Sequence, residues 1–219
     1  PLNALIDGKL VRLADPPDFA DAPSFAERLA AVKTLEAEFV TTIAPSIQVP
    51  KESGLRAADF FRWAEQLGNV AMELESLEQW RDMETRAVAP RVMQTVNALD
   101  RAISGPLTEK WHAWQERYLT ELDALFAALR KRAADRSRRR SLAVARAVDP
   151  LLPAELRAAP LSQKALLIAA SAPGVTTVLA GMRGPAYVDD ALGALTRLPS
   201  PPLTNVAELL RASKAAALP

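Results

Sequence analysis

Apolar positions recur every three or four residues over most of this chain, a spacing that predicts long amphipathic helices. Ser24-Phe25-Ala26-Glu27 has the form of a capping box, in which hydroxyl and carboxylate each satisfy an orphan backbone donor. Phe25, Leu29, Val32, Leu35, Phe39 and Ile43 then mark one face of a first helix, which Pro45 ends. A second helix is expected over residues 55–103. Its stripe is Phe60, Trp63, Leu67, Val70, Leu74 and Leu77, continued by Val88, Val92, Val96 and Leu99, with Pro90 kinking or splitting it. After Ser104-Gly105-Pro106, the residues Trp111, Trp114, Tyr118, Leu122, Leu125 and Leu129 alternate steps of three and four. That is a seam facing other helices, in a third helix that reaches about Val148. Three long helices joined by short breaks predict a compact antiparallel bundle over residues 23–150.

From Leu161 the pattern changes. Residues 162–172 read as a short apolar helix, and residues 175–180 (Val-Thr-Thr-Val-Leu-Ala) as a strand buried on both faces in a parallel sheet. Gly181-Met182-Arg183 follows, then a helix opening near Pro185, where a missing N–H costs nothing. Turn amides, the helix dipole and the Arg183 fork together suit a phosphate. A plain strand-to-helix connection with a solvent-facing arginine is the alternative. A parallel strand needs partners and no second convincing strand is found, so part of the protein is expected to lie outside this chain. Pro199, Pro201 and Pro202 stiffen a linker within residues 197–219, and Thr204-Asn205 cap a last helix over residues 206–216. Residues 1–22 read as irregular, with Gly8 and Asp15-Pro16-Pro17-Asp18 marking loop. The bundle and the second unit are expected to part near residues 149–160, where prolines are dense.

Composition narrows this picture without redirecting it. The 219 residues suffice for one large or two small domains, and 49% hydrophobic with 24% charged residues is ordinary for a soluble globular protein. A net charge of +1 gives no global argument for a nucleic acid or a membrane surface. The absence of cysteine excludes disulfides, thiolate metal sites and a cysteine nucleophile. No apolar run is long enough to span a bilayer. The first residue is Pro1 and no basic-then-apolar leader precedes it, so the chain is expected to be processed, trimmed or a fragment, and cytoplasmic.

Two groups of polar residues offer chemistry and are better read otherwise. His112 forms a single Glu109-x-x-His112, whereas di-iron bundles use that motif twice, and the tryptophan seam leaves this histidine off the core line. A solvated histidine is expected, and no metal. Arg130, Lys131, Arg132, Arg136, Arg138, Arg139 and Arg140 form a basic block that suits a phosphate-rich partner. Glu73, Glu75, Glu78, Asp82 and Glu84 on the second helix are its expected counter-charges, and no aromatic residue interleaves the arginines for base stacking. No nucleic-acid or membrane partner is expected.

The C-terminal motifs carry a resemblance. Leu161-Ser162-Gln163-Lys164-Ala165-Leu166, then Pro173-Gly174-Val175-Thr176-Thr177-Val178-Leu179-Ala180-Gly181-Met182-Arg183, then Val188-Asp189-Asp190-Ala191-Leu192 resemble the C-terminal end of aldo-keto reductases. The resemblance implies the seventh helix, the eighth strand and the NADP(H) 2′-phosphate loop of a (β/α)8 barrel. Pro1-Leu2-Asn3-Ala4-Leu5 is similar to the family's loop over the cofactor pyrophosphate. By this resemblance Leu2, Asn3, Gly181, Met182, Arg183, Tyr187 and Asp190 are the cofactor-binding residues, with Arg183 on the 2′-phosphate. Tyr187 and Ala191 stand where the family commonly has Gln and Asn.

The fold expected is therefore mainly α: an antiparallel bundle of three long helices inserted into the barrel pattern, followed over residues 151–196 by a helix-strand-helix barrel remnant. The family's catalytic Asp, Tyr, Lys and His precede the matching region, so no catalytic residue and no tightly bound cofactor are expected in this chain. Its expected partner is an upstream barrel half of the same protein. Self-association through the bundle or the orphan strand, and a non-catalytic helical interaction module, are the alternatives.

Overall fold

A computed structural model of the chain describes residues 3–6, 9–12, 24–48, 56–181 and 185–217. The protein is mainly α. By contacts it forms two compact units, a bundle unit of Pro17–Asp135 and a C-terminal unit of Pro1–Pro16 with Arg136–Pro219. The division lies within one long helix, and the prolines of residues 149–160 stand inside the C-terminal unit.

In the bundle unit, α1 (Phe25–Thr42) buries Val32, Leu35 and Phe39 and ends in a 3₁₀ turn at Ala44–Ser46 that contains Pro45. Ser24 sits at the N-cap, but its hydroxyl makes no capping bond; the helix starts from its carbonyl, which accepts from the Arg28 N–H at 3.1 Å. Ser24 is exposed, so water serves the remaining orphan donors.

The expected second helix is a series of shorter ones. A 3₁₀ turn at Ala57–Asp59 precedes α2 (Trp63–Glu73), and α3 (Leu77–Met83) follows a break at Leu74-Glu75-Ser76. The break has a local cause. Ser76 Oγ accepts from the Gln79 N–H at 3.1 Å, while Gln79 Oε1 accepts from the Glu75 N–H at 2.8 Å. A π-turn at Glu84–Val88 then runs into α4 (Ala89–Ala102). Pro90 neither breaks nor ends this helix, because the wider turn before it takes up the missing donor and the ring's bulk.

α5 (Leu107–Val148) carries the seam. Trp111, Trp114, Tyr118, Leu122, Leu125 and Leu129 are all buried. It runs antiparallel to α1: Arg132 lies over the Phe25 ring, Arg28 pairs with Glu121, and Arg117 pairs with Glu38. Trp111 and Trp114 stack at 5.5 Å and Trp114 and Tyr118 at 4.6 Å, while Phe39 and Phe61 close against them edge-on or tilted.

In the C-terminal unit the end of α5 is followed by a 3₁₀ turn at Asp149–Leu151, then α6 (Ala154–Arg157), α7 (Leu161–Ala170), α8 (Pro185–Leu195) and α9 (Val206–Ala217). Val144, Val148, Leu152, Leu156, Leu167, Ile168, Leu203, Val206 and Leu209 form its core. Lys164 is 4% exposed; its ammonium donates to Asp149 Oδ1 and to the Arg157 carbonyl, each at 2.6 Å, tying α7 to the segment before it. Asn205 begins α9 through its carbonyl, and its side-chain amide donates to the Leu151 carbonyl at 2.9 Å. Residues 1–22 are not wholly irregular, since β1 (Asn3–Ile6) and β2 (Lys9–Arg12) pair antiparallel with Asn3 opposite Arg12.

Residues 175–180 do not form the expected strand. They carry no regular secondary structure. Among the described residues no strand offers them a hydrogen-bonding partner, and an isolated strand has nothing to satisfy its amides except water.

Candidate functional site

The region that the sequence singles out is built from α7, the irregular segment and α8. Glycine is required at Gly174, where φ is +79° and the chain turns out of α7; the Val175 N–H returns to the Ala172 carbonyl at 3.1 Å. Beyond this turn Val175 is exposed and Leu179 is 90% exposed. Val178 and Ala180 face a groove of about 250 Å³, completed by Leu166, Leu167, Leu192 and Leu195. Its lining is aliphatic throughout and offers no donor to an anion.

α7 and α8 meet closely. Gln163 is buried, and its amide donates to Asp190 Oδ1 at 3.2 Å while its own Oε1 has no partner. A Cβ on Gly193 would stand 2.4 Å from Gln163 Nε2, so the side chain of α7 occupies the space that glycine leaves open.

The expected cofactor residues are placed as follows. Asp190 is turned toward α7 by Gln163, and Tyr187 is half-buried in the first turns of α8. Gly181 has open space where a Cβ would stand and no positive φ, so neither packing nor backbone strain demands glycine there. Asn3 opens β1. Leu2, Met182 and Arg183 lie outside the described residues. Gly181, Tyr187 and Asp190 thus share one unit and flank the start of α8.

A second polar centre, not anticipated from the sequence, lies in the bundle unit. Glu36 is buried on the core side of α1. Its Oε1 accepts from the Trp63 N–H at 2.8 Å, the Ala64 N–H at 3.0 Å and the Tyr118 hydroxyl at 3.1 Å. Trp63 and Ala64 are the first residues of α2, and Arg62 at its N-cap supplies no side-chain cap. Glu36 is therefore a cap delivered from another helix, on a helix end that favours negative charge. Burial nevertheless pushes its carboxyl above the ordinary range, with the three hydrogen bonds opposing that shift. Burial likewise pushes the Tyr118 phenol well up, and the Glu36 charge beside it adds to the effect. The signal was present: Glu36 shares a helical face with Val32, Leu35 and Phe39, where a charged residue demands partners.

The remaining candidates have ordinary surroundings. His112 is exposed and lies 4.0 Å from Asp100 Oδ1, which accepts from the Trp111 indole at 2.6 Å. Among the described residues no three His, Asp or Glu side chains gather to hold a metal. From the basic block, Arg130 pairs with Glu84, Lys131 with Asp135, and Arg132 donates to the Ala71 carbonyl while covering Phe25. Among the described residues no helix is long and apolar enough to cross a membrane.

Fold and surfaces together define a mainly helical protein with a packed bundle and a C-terminal helical unit. No family model, no curated protein and no solved structure matches the chain.

Proposed function

We propose that this chain is the C-terminal part of an aldo-keto-reductase-like, NADP(H)-dependent carbonyl oxidoreductase of the cytoplasm, interrupted by a helical bundle. In this reading α7, residues 175–180 and α8 are the seventh helix, eighth strand and eighth helix of a (β/α)8 barrel. One observation carries it. Residues 175–180 have the composition of a doubly buried strand and stand between two helices that pack on each other, yet they are unpaired and expose Leu179 almost completely. Such a segment is an edge in search of a neighbour, and an upstream barrel half of the same protein supplies one.

In the joined protein Gly181, Met182 and Arg183 hold the 2′-phosphate at the start of α8, with Tyr187 and Asp190 beside the adenosine and Leu2 and Asn3 over the pyrophosphate. NADPH supplies the hydride, and upstream Asp, Tyr, Lys and His side chains do the proton chemistry. This chain's share is to bind and orient the nucleotide. The chain alone has no reductase activity.

Fluorescence titration tests this. NADPH is expected to bind at micromolar concentration to the chain joined to the upstream segment of its gene, and negligibly to the chain alone. Arg183→Ala should weaken NADPH and spare NADH. Micromolar binding by the chain alone, or an upstream reading frame without a barrel, overturns the reading. The second reading, a non-catalytic helical interaction module, draws support from the self-contained aromatic core of the bundle unit; it predicts no nucleotide binding by either form.

A further inference from the structure

We infer that a hollow of about 500 Å³ in the bundle unit is a binding site for a small carboxylate that carries an apolar tail. The hollow lies where the turn after α1 meets the connection from α4 to α5. Gly105, at φ +70°, turns the chain there, and the Thr108 N–H donates to the Gly105 carbonyl at 3.1 Å. Ile103 and Leu107, on either side of this turn, form the floor together with Ile47. Ile103 is buried, and Ile47 and Leu107 pack against the core, so the floor is aliphatic. The rim is polar, since Ser46, Gln48, Ser104 and Lys110 line the hollow and are all exposed. An apolar floor with a few convergent polar groups, at this volume, is the make-up of a site for a small organic molecule.

Charge selects the ligand. Lys110 has no ion pair or hydrogen bond from its side chain among the described residues. Its neighbours three and four positions away on α5 are Pro106, Leu107, Ala113 and Trp114, none of them an acid. Nor does any Asp or Glu line the hollow. Arg28, Arg117 and Arg130 of the same unit, by contrast, are each held by a glutamate from another element. The side chains of Ser46, Gln48 and Ser104 also lack partners among the described residues, and each brings a donor to the rim. One positive charge among donors, with no acid beside it, complements a carboxylate. A single ammonium suits a monoanion, whereas a phosphate dianion is better met by guanidinium forks. With the head group at the rim the tail lies on the aliphatic floor, where the volume holds about fifteen non-hydrogen atoms at roughly 30 Å³ each. The site lies wholly within the bundle unit and stands apart from the nucleotide reading.

Titration of octanoate into the whole chain, followed through backbone amide shifts by NMR, tests it. Shifts are expected at Ile47, Ile103, Ser104 and Leu107, saturating at millimolar concentration. Octanamide, the same tail without the charge, should bind about fivefold more weakly. Lys110→Gln should weaken octanoate by about that factor and leave octanamide unchanged. Ser104→Asp, which sets a carboxylate on the rim, should weaken octanoate and spare octanamide. Both positions are exposed, so helix content by circular dichroism should match the wild type. Shifts absent or scattered over the chain, equal binding of acid and amide, or a K110Q variant that still prefers the acid would overturn the proposal. So would inorganic phosphate moving the same amides at the same concentrations, since charge alone would then account for the binding. Shift mapping and nucleotide affinity are separate readouts, so either can fail while the other stands.

Discussion

Tyr118 of α5 donates its hydroxyl proton to Glu36 of α1, 3.1 Å away, and that same carboxylate oxygen accepts the first two backbone amides of α2. Three helices of the bundle unit therefore converge on one buried carboxyl. Glu36→Ala leaves two amides and a phenol buried without an acceptor and should cost about 3 kcal/mol or more, at 1–3 kcal/mol for each orphaned group. Tyr118→Phe removes one donor and should cost about 1 kcal/mol. Urea denaturation of the two variants gives the comparison, and equal losses would contradict it.

The same carboxyl makes stability depend on pH. Its pKa in the folded chain is raised above the ordinary 4.5, with burial the largest cause. Between the ordinary value and its own, the folded state holds a proton that the unfolded state has released. This contribution is therefore complete below the ordinary value and is lost as pH rises through the folded one. Other carboxylates impose their own slopes, so the test is a difference: wild-type stability minus that of Glu36→Gln should fall as pH is raised from about 4 toward neutrality. A flat difference would show that Glu36 titrates as an exposed residue does.

Arg130 and Glu84 form a largely buried ion pair of the bundle unit, with side chains 31% and 10% exposed. Removing the arginine strands the deeper charge. Arg130→Met should cost about 3 kcal/mol, and adding Glu84→Leu should recover most of that loss. A double variant no more stable than the single one would mean that the pair itself, rather than the orphaned carboxylate, sets the cost.

Gly193 yields to Gln163. Gly193→Ala introduces a Cβ where the amide nitrogen lies 2.4 Å away, displacing Gln163 and its bond to Asp190. The helix gains about 1 kcal/mol from alanine, and the clash costs about 1–3 kcal/mol. The variant should be destabilised by about 1 kcal/mol. In a Gln163→Ser background the same substitution should stabilise. Thermal melts of the four proteins check the change of sign.

Much of the bundle was legible as periodicity. Every residue of the Trp111–Trp114–Tyr118–Leu122–Leu125–Leu129 seam is buried, because its alternating spacing leaves a single face for the core. The break inside the second helix was legible too, in Ser76-x-x-Gln79, a capping box masked by the continuous apolar stripe running through it. Ser24-x-x-Glu27, with the same form, makes no side-chain cap: an exposed helix end has water as an alternative, so the motif alone does not decide. For Glu36 the apolar face of α1 shows that partners are needed but not which, because they are backbone amides 27 and 28 residues away. Residues 175–180 show the limit from the other side. Their composition describes an environment, a sheet on both flanks, and local preference cannot build a strand where no ladder exists.

The π-turn at Glu84–Val88 makes chain length a structural variable. Trp80, Glu84, Val88, Val92 and Val96 are buried at successive steps of four, and each such step overshoots an α-helical turn by about 40°. A widened turn retards that rotation and keeps the row in phase with α5. Deleting one residue between Trp80 and Val92 would restore ordinary winding and leave Val92, Val96 and Leu99 facing the core, because eleven residues at about 100° each turn as far as twelve do with one absorbed in the widened turn. The widened turn thus carries one residue more than the register of α4 requires, so a one-residue alignment gap here would matter less than a polar substitution at Val92 or Val96.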